Sequence, residues 1–183
     1  MPKVVDHHER RSAVVAATRS VVAAEGIDAA TMRRIAYEAG CTTGRITHYF
    51  TDKQEVLVAV LREVHLAAAH RMAVRLSEAA PADRLRCVLE EALPLDDIRL
   101  DEWRVWLAFW GRAAGNADLE GEQRARYNDW ASLVADLLDL RPDDPAVDHL
   151  IATVDGIGLR ATLDPLAFPP HRQLAALAAR LDV

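Results

Sequence analysis

The sequence contains little of what cross-linked, metal-built or membrane proteins are made from. Only two cysteines, Cys41 and Cys87, stand among 183 residues. They lack metal-type spacing, which excludes a disulfide framework and points to a reducing compartment, the cytoplasm. No uninterrupted apolar run approaches the ~18 residues of a membrane helix, and no basic-then-apolar leader opens the chain. β-Strand signals are almost absent. Enzyme signatures are missing too, with no nucleophile elbow, phosphate loop or glycine-rich dinucleotide fingerprint. His65 and His70 are five apart, not at the i, i+4 zinc spacing. His7-His8-Glu9 belongs to a leader not expected to hold metal. No catalytic residue, metal or cofactor is expected.

What is present is a globular, helical composition. Hydrophobic residues make up 51% and charged residues 27%, values of a soluble folded chain. The net charge of −6 is unevenly spread. Residues 1–53 carry eight Lys/Arg and six Asp/Glu, and residues 54–183 carry fourteen and twenty-two. A mildly basic head on an acidic body suits a chain whose one end meets a polyanion. Ala, Leu, Arg and Glu recur at helical spacing, which predicts an all-α fold of about nine helices. Three short ones come first, at about 9–25, after Thr31, and 43–50. A long fourth helix starts at Asp52 and reaches Leu76 or beyond. The remainder divides at Pro81, Pro94, Gly115-Asn116 and Pro142-to-Pro145 into helices at about 82–92, 96–114, 118–140, 146–163 and 170–181. The expected domains are 1–53, a helix-turn-helix head, and 54–183, a helical body, with helix four continuous between them.

Two short helices joined by Gly40-Cys41-Thr42 form a helix-turn-helix pattern. Ile46 and Phe50, four apart, are expected to face inward against Ile35 and Ala36. That leaves Thr43, Gly44, Arg45, Thr47, His48 and Tyr49 outside. No acidic residue stands between Glu38 and Asp52, so phosphate can approach without repulsion, and a helix N-terminus attracts anions.

The stretch Thr31-Met32-Arg33-Arg34-Ile35-Ala36-Tyr37-Glu38-Ala39-Gly40-Cys41-Thr42-Thr43-Gly44-Arg45-Ile46-Thr47-His48-Tyr49-Phe50, with Asp52-Lys53 after it, resembles the DNA-binding domain of TetR-family transcriptional regulators. Its ending is similar to that of BetI-type members, which respond to choline in their namesake. Trp106-Leu107-Ala108-Phe109-Trp110 and Asp155-Gly156-Ile157-Gly158-Leu159-Arg160-Ala161 resemble parts of the BetI-type ligand-binding domain. The resemblance implies phosphate binding by Lys53, by His48 or Tyr49, and by Thr31. It places Thr43, Gly44, Arg45 and Thr47 near base edges or flanking phosphates, beside the turn residue Thr42, and lets Arg33 reach a base. The commoner family pattern has Tyr where Thr47 stands. Arg45 is the best candidate for direct readout, because its fork matches guanine O6 and N7.

Trp103, Trp106 and Trp110 lie at i, i+3 and i+7 with Phe109 beside them, four of the chain's ten aromatics within eight residues. They read either as a core or subunit-contact stripe, or as the wall of an effector pocket. With Glu102 or Asp155 close by, such a wall suits a quaternary ammonium through cation–π attraction. Val147, Leu150, Ile151, Val154 and Ala161, then Leu174, Leu177, Ala178 and Leu181, form two apolar faces. With Gly156 and Gly158 allowing close approach, they suggest a four-helix contact between two copies. The expected protein is a cytoplasmic homodimeric repressor, released from a palindromic double-stranded DNA operator by a small-molecule effector. The alternative is a small helical enzyme or carrier with an incidental helix-turn-helix.

Overall fold

The computed structural model describes residues 7–181; the first six residues of the expected head and the last two of the body lie outside that range. The described residues form nine α-helices and one short 3-10 turn, with no strand among them. In order these are α1 (His7–Glu25), α2 (Met32–Glu38), α3 (Thr43–Thr47), α4 (Lys53–Glu78), the 3-10 turn (Pro81–Asp83), α5 (Arg84–Glu91), α6 (Asp97–Ala113), α7 (Ala117–Leu138), α8 (Pro145–Leu163) and α9 (Pro170–Leu181). Local chemistry starts most of them. The side chains of Thr31, Thr42, Asp52, Asp96, Asn116 and Asp144 each accept a backbone N–H from the first turn of the helix that follows. Gly40 sits at φ +59°, the left-handed conformation that lets α2 turn sharply into α3. Helix α3 is shorter than the expected 43–50, because His48 already caps its C-terminal end.

Two apolar cores form. The first joins α1–α4, through Val14, Ile35, Ile46, Phe50 and Val60, to Val105, Phe109 and Ala113 of α6. The second joins Met72 at the far end of α4 to α5, α7, α8 and α9. Helix α4 therefore serves both cores, and α6 closes the head from the body side.

The apolar faces assigned to a subunit contact are mostly spent within the chain. Val147, Leu150, Ile151, Val154, Ala161 and Leu177 all belong to the second core. Of the expected residues Leu174 is exposed, and the other exposed apolar residues of this region lie outside the two faces, at Leu159, Leu163 (73% exposed) and Leu166 (93%). Gly158 likewise serves a contact within the chain, described below, whereas Gly156 has no atom within 4 Å of its would-be side chain.

Candidate functional site

The head presents α3 on a shelf made by α1, α2 and α4. Ile46 and Phe50 are buried as expected, and Thr43, Gly44, Arg45, Thr47 and His48 are exposed, with Tyr49 half-buried. Thr42 Oγ1 accepts the Arg45 amide at 3.2 Å, and the Thr47 hydroxyl donates to the Gly44 carbonyl at 3.1 Å. Thr31 and Arg33 are exposed on the adjoining helix. The next residue, Arg34, is committed elsewhere, to Glu25 at 2.7 Å and Glu38 at 2.9 Å. Among the described residues neither Arg33 nor Arg45 has an ion-pair partner, so both guanidinium groups are available to an anion. The rings of His48 and Tyr49 meet edge-on at 5.1 Å, and His7, from the start of α1, packs against Tyr49 at 4.5 Å.

Lys53 is half-buried and not simply presented to solvent. Its Nζ donates to the Ile27 carbonyl at 3.0 Å. Burial and the nearby Arg112 hold its pKa below the ordinary lysine value, against the pull of Asp28. It thus ties the first turn of α4 to the α1–α2 loop.

The body forms a cavity of about 290 Å³, open to solvent on one side, between α4, α6, α7 and α8. Trp103, Trp106 and Trp110 all line it. Trp103 stands edge-on to Trp106 at 5.5 Å and to Trp110 at 5.7 Å. Trp103 is fixed twice over: its Nε1 donates to the Ala92 carbonyl at 2.8 Å, and its ring lies directly on the α8 backbone at Gly158. Two aromatics of α7, Tyr127 and Trp130, complete the wall. They were not among the expected pocket residues, although their i, i+3 spacing puts both on one face of a helix and is visible in the sequence.

Asp155 also lines the cavity, and it accepts the Tyr127 hydroxyl at 2.7 Å. Burial pushes its carboxyl above the usual range, with the Tyr127 hydrogen bond opposing. Burial, followed by the charge of Asp155, likewise raises the Tyr127 phenol. His65 lies in the same wall, and burial and Arg126 hold its imidazole below the ordinary value.

Two residues of the expected pocket stand elsewhere. Glu102, 2% exposed, does not line the cavity. Its carboxylate takes a two-pronged ion pair from Arg71 of α4, which also reaches Glu91 of α5 at 2.7 Å. Phe109 is turned into the head's core instead. The cause is helical geometry: residues 102 and 109 lie together on one side of the Trp face but two turns apart along α6, so each meets a different neighbour. No cluster of three or more His, Cys, Asp or Glu among the described residues is placed to hold a metal ion. No helix among them is long and apolar enough to cross a membrane.

Comparison with known proteins finds two family matches along the chain. Residues 14–60 match the family described as bacterial regulatory proteins, tetR family, and residues 81–183 match the BetI-type transcriptional repressor C-terminal domain. The HTH-type transcriptional regulator PksA of Bacillus subtilis is 31% identical, over 91% of this chain and 85% of its own. The HTH-type transcriptional regulator BetI of Serratia proteamaculans is 32% identical, over 100% of this chain and 94% of its own. A transcriptional regulator from Saccharomonospora viridis, solved in complex with choline, shares the fold with a TM-score of 0.88 at 22% identity, covering 96% of both chains. These families and relatives are regulators, and they lend no support to the alternative of a small helical enzyme or carrier.

Proposed function

The chain belongs to the TetR family of transcriptional regulators and carries a BetI-type repressor C-terminal domain, and from that premise we propose how its own residues divide the work. Residues 1–53 form the DNA-binding head and 54–183 the effector-binding and dimerisation body. In the head, α3 enters a major groove of a palindromic operator. Arg45 and Arg33 face base edges, with Thr43, Gly44 and Thr47 against bases or flanking phosphates. Thr31, Thr42, His48, Tyr49 and Lys53 hold the phosphate backbone. In the body, a small organic cation occupies the cavity. Trp103, Trp106 and Trp110, joined by Tyr127 and Trp130, surround it with negative ring faces, and Asp155 supplies the counter-charge. Glu102 and Phe109 act behind this wall. Two copies pair through the exposed Leu159, Leu163, Leu166 and Leu174, and the dimer works in the cytoplasm.

The observation that carries this reading is shared membership. Leu61 of α4 and Trp106 of α6 both line the cavity and pack against the core of the head. Three polar contacts join the same region: Arg112 with Asp28 at 2.7 Å, Gln54 with Asn116 at 3.2 Å, and Lys53 with the Ile27 carbonyl at 3.0 Å. A ligand that displaces either wall residue therefore acts on the support of α3. Such a ligand shifts the equilibrium only by its differential affinity for two conformations of the head.

The choline held by the Saccharomonospora viridis regulator makes a trimethylammonium compound the natural first probe. The test is a mobility-shift titration on DNA flanking the protein's own gene, with and without choline or tetramethylammonium. Salt-dependent retardation that exceeds that of unrelated DNA, and release by the cation, are expected. Equal affinity for both DNAs, or release by neither cation at saturating concentration, refutes the respective half of the proposal.

A further inference from the structure

The cavity is longer than a compact cation needs, and its two ends differ chemically. Its wall follows α4 from Leu61 to Leu76, about 22 Å of helix at 1.5 Å per residue. The polar side chains in the wall gather towards the His65 end and pair with one another in part, leaving Arg126 Nε and Trp110 Nε1 buried without a partner. Tyr127 donates to Asp155 at 2.7 Å, Arg126 pairs with Asp129 at 3.2 Å, and His65 stands 4.0 Å from Asp129. Beyond them the wall is wholly apolar. Helix α4 contributes Ala68, Ala69, Met72, Ala73 and Leu76, and Leu133 and the Trp103 ring face them.

The three alanines are what keep this stretch open, since larger side chains there would fill it. Ala69 and Ala73 line the cavity and are themselves exposed, so a chain that outgrows the channel has an exit. A hydroxyl or carboxylate placed along this stretch would lose water without gaining a partner. A methylene placed there gains free energy by leaving water.

We propose that the effector is an amphiphilic ammonium, with its cationic head among the indoles beside Asp155 and an alkyl or aryl tail lying along α4 past Ala69 and Ala73. This rests on the cationic reading above and adds the tail to it.

The experiment is calorimetric titration of the full-length protein with tetramethylammonium, choline, and hexyl-, octyl- and decyltrimethylammonium below their micellar concentrations, with decanol as the uncharged comparison. Affinity is expected to rise roughly fourfold per added methylene until the channel is full. Choline should bind no tighter than tetramethylammonium, and decanol should bind more weakly than decyltrimethylammonium. Ala73→Phe and, on the same wall, Ala69→Leu should flatten the chain-length series, each variant first shown by thermal melting to be folded. Choline binding as tightly as the decyl compound, or a chain-length series unchanged in both variants, overturns the tail and leaves the cationic head standing. Decanol binding as tightly as its ammonium counterpart overturns the cationic head and the reading it rests on, and no ammonium binding at all overturns the head and the tail together.

Discussion

Replacing Gly158 with Ala tests the architecture of the cavity with a single methyl group. A Cβ at this position would stand 2.0 Å from Trp103 Cζ2, 2.1 Å from Cη2 and 2.5 Å from Cε2. The ring cannot slide away cheaply, because Trp103 is 2% exposed and its Nε1 is held by the Ala92 carbonyl. Overpacking a tight core costs about 1–3 kcal/mol, and a buried indole N–H torn from its acceptor costs about 1–3 kcal/mol more. Against this, Ala improves on Gly within a helix by about 1 kcal/mol. The net is a loss of roughly 3 kcal/mol, which for a chain of this size lowers the melting midpoint by about 6–12 °C. Because Trp103 is part of the cavity wall, effector affinity should fall with it. Gly156→Ala is the internal comparison, with nothing near its would-be Cβ. It should gain up to about 1 kcal/mol from helix propensity. Both variants are measured by thermal melting and by effector titration. If Gly158→Ala melts at or above the wild type and binds effector normally, the Trp103 indole neither lies on α8 nor walls the cavity.

Arg45→Ala should cost about 1–3 kcal/mol at the operator and relax preference at one base pair per half-site; an unchanged ranking of single-base operator variants makes Arg45 a phosphate or solvent residue. Lys53→Ala should weaken specific and non-specific DNA binding alike and reduce the salt slope by about one for each phosphate that Lys53 neutralises. Losing the bond to the Ile27 carbonyl should also remove about 1 kcal/mol of stability, and an unchanged salt slope leaves Lys53 only that structural role. Arg71→Met strands the buried carboxylate of Glu102 and leaves Glu91 only Arg99 and Arg75, and should destabilise the fold by about 3–5 kcal/mol; a variant that melts like the wild type refutes the ion-pair network. Asp155 has its pKa raised by burial, so its charge begins to disappear above the ordinary carboxylate range as pH falls. Affinity for a permanently charged trimethylammonium should drop on acidification, while the contribution of Asp155 itself to the stability of the empty protein rises, because the charged form is what burial disfavours. Asp155→Asn should abolish the part of the affinity profile due to this group, and an identical profile in that variant removes Asp155 from the site.

Most of what the sequence determined by itself is local. The side chains that start α2, α3, α4, α6, α7 and α8 act within three residues of themselves, so helix ends could be read from residue order. The inward set Ile35, Ala36, Ile46 and Phe50 followed from helical spacing across one tight turn, and with it the exposed set on α3. Tertiary structure decided which neighbour meets which face. Helix α6 is apolar over most of its circumference, and periodicity cannot say that Trp103, Trp106 and Trp110 line a cavity while Phe109 and Val105 close the head. Glu102 looked like a pocket carboxylate because it adjoins Trp103 in sequence. Neighbours in a helix point about 100° apart, however, and Arg71 of another helix claimed it. Asp155 found its partner Tyr127 across two helices. The stripe Val147, Leu150, Ile151 and Val154 is the same whether a helix of this chain or of a second copy covers it. Gly158 likewise leaves room for any close neighbour, and only the packed body shows that the room is taken by Trp103.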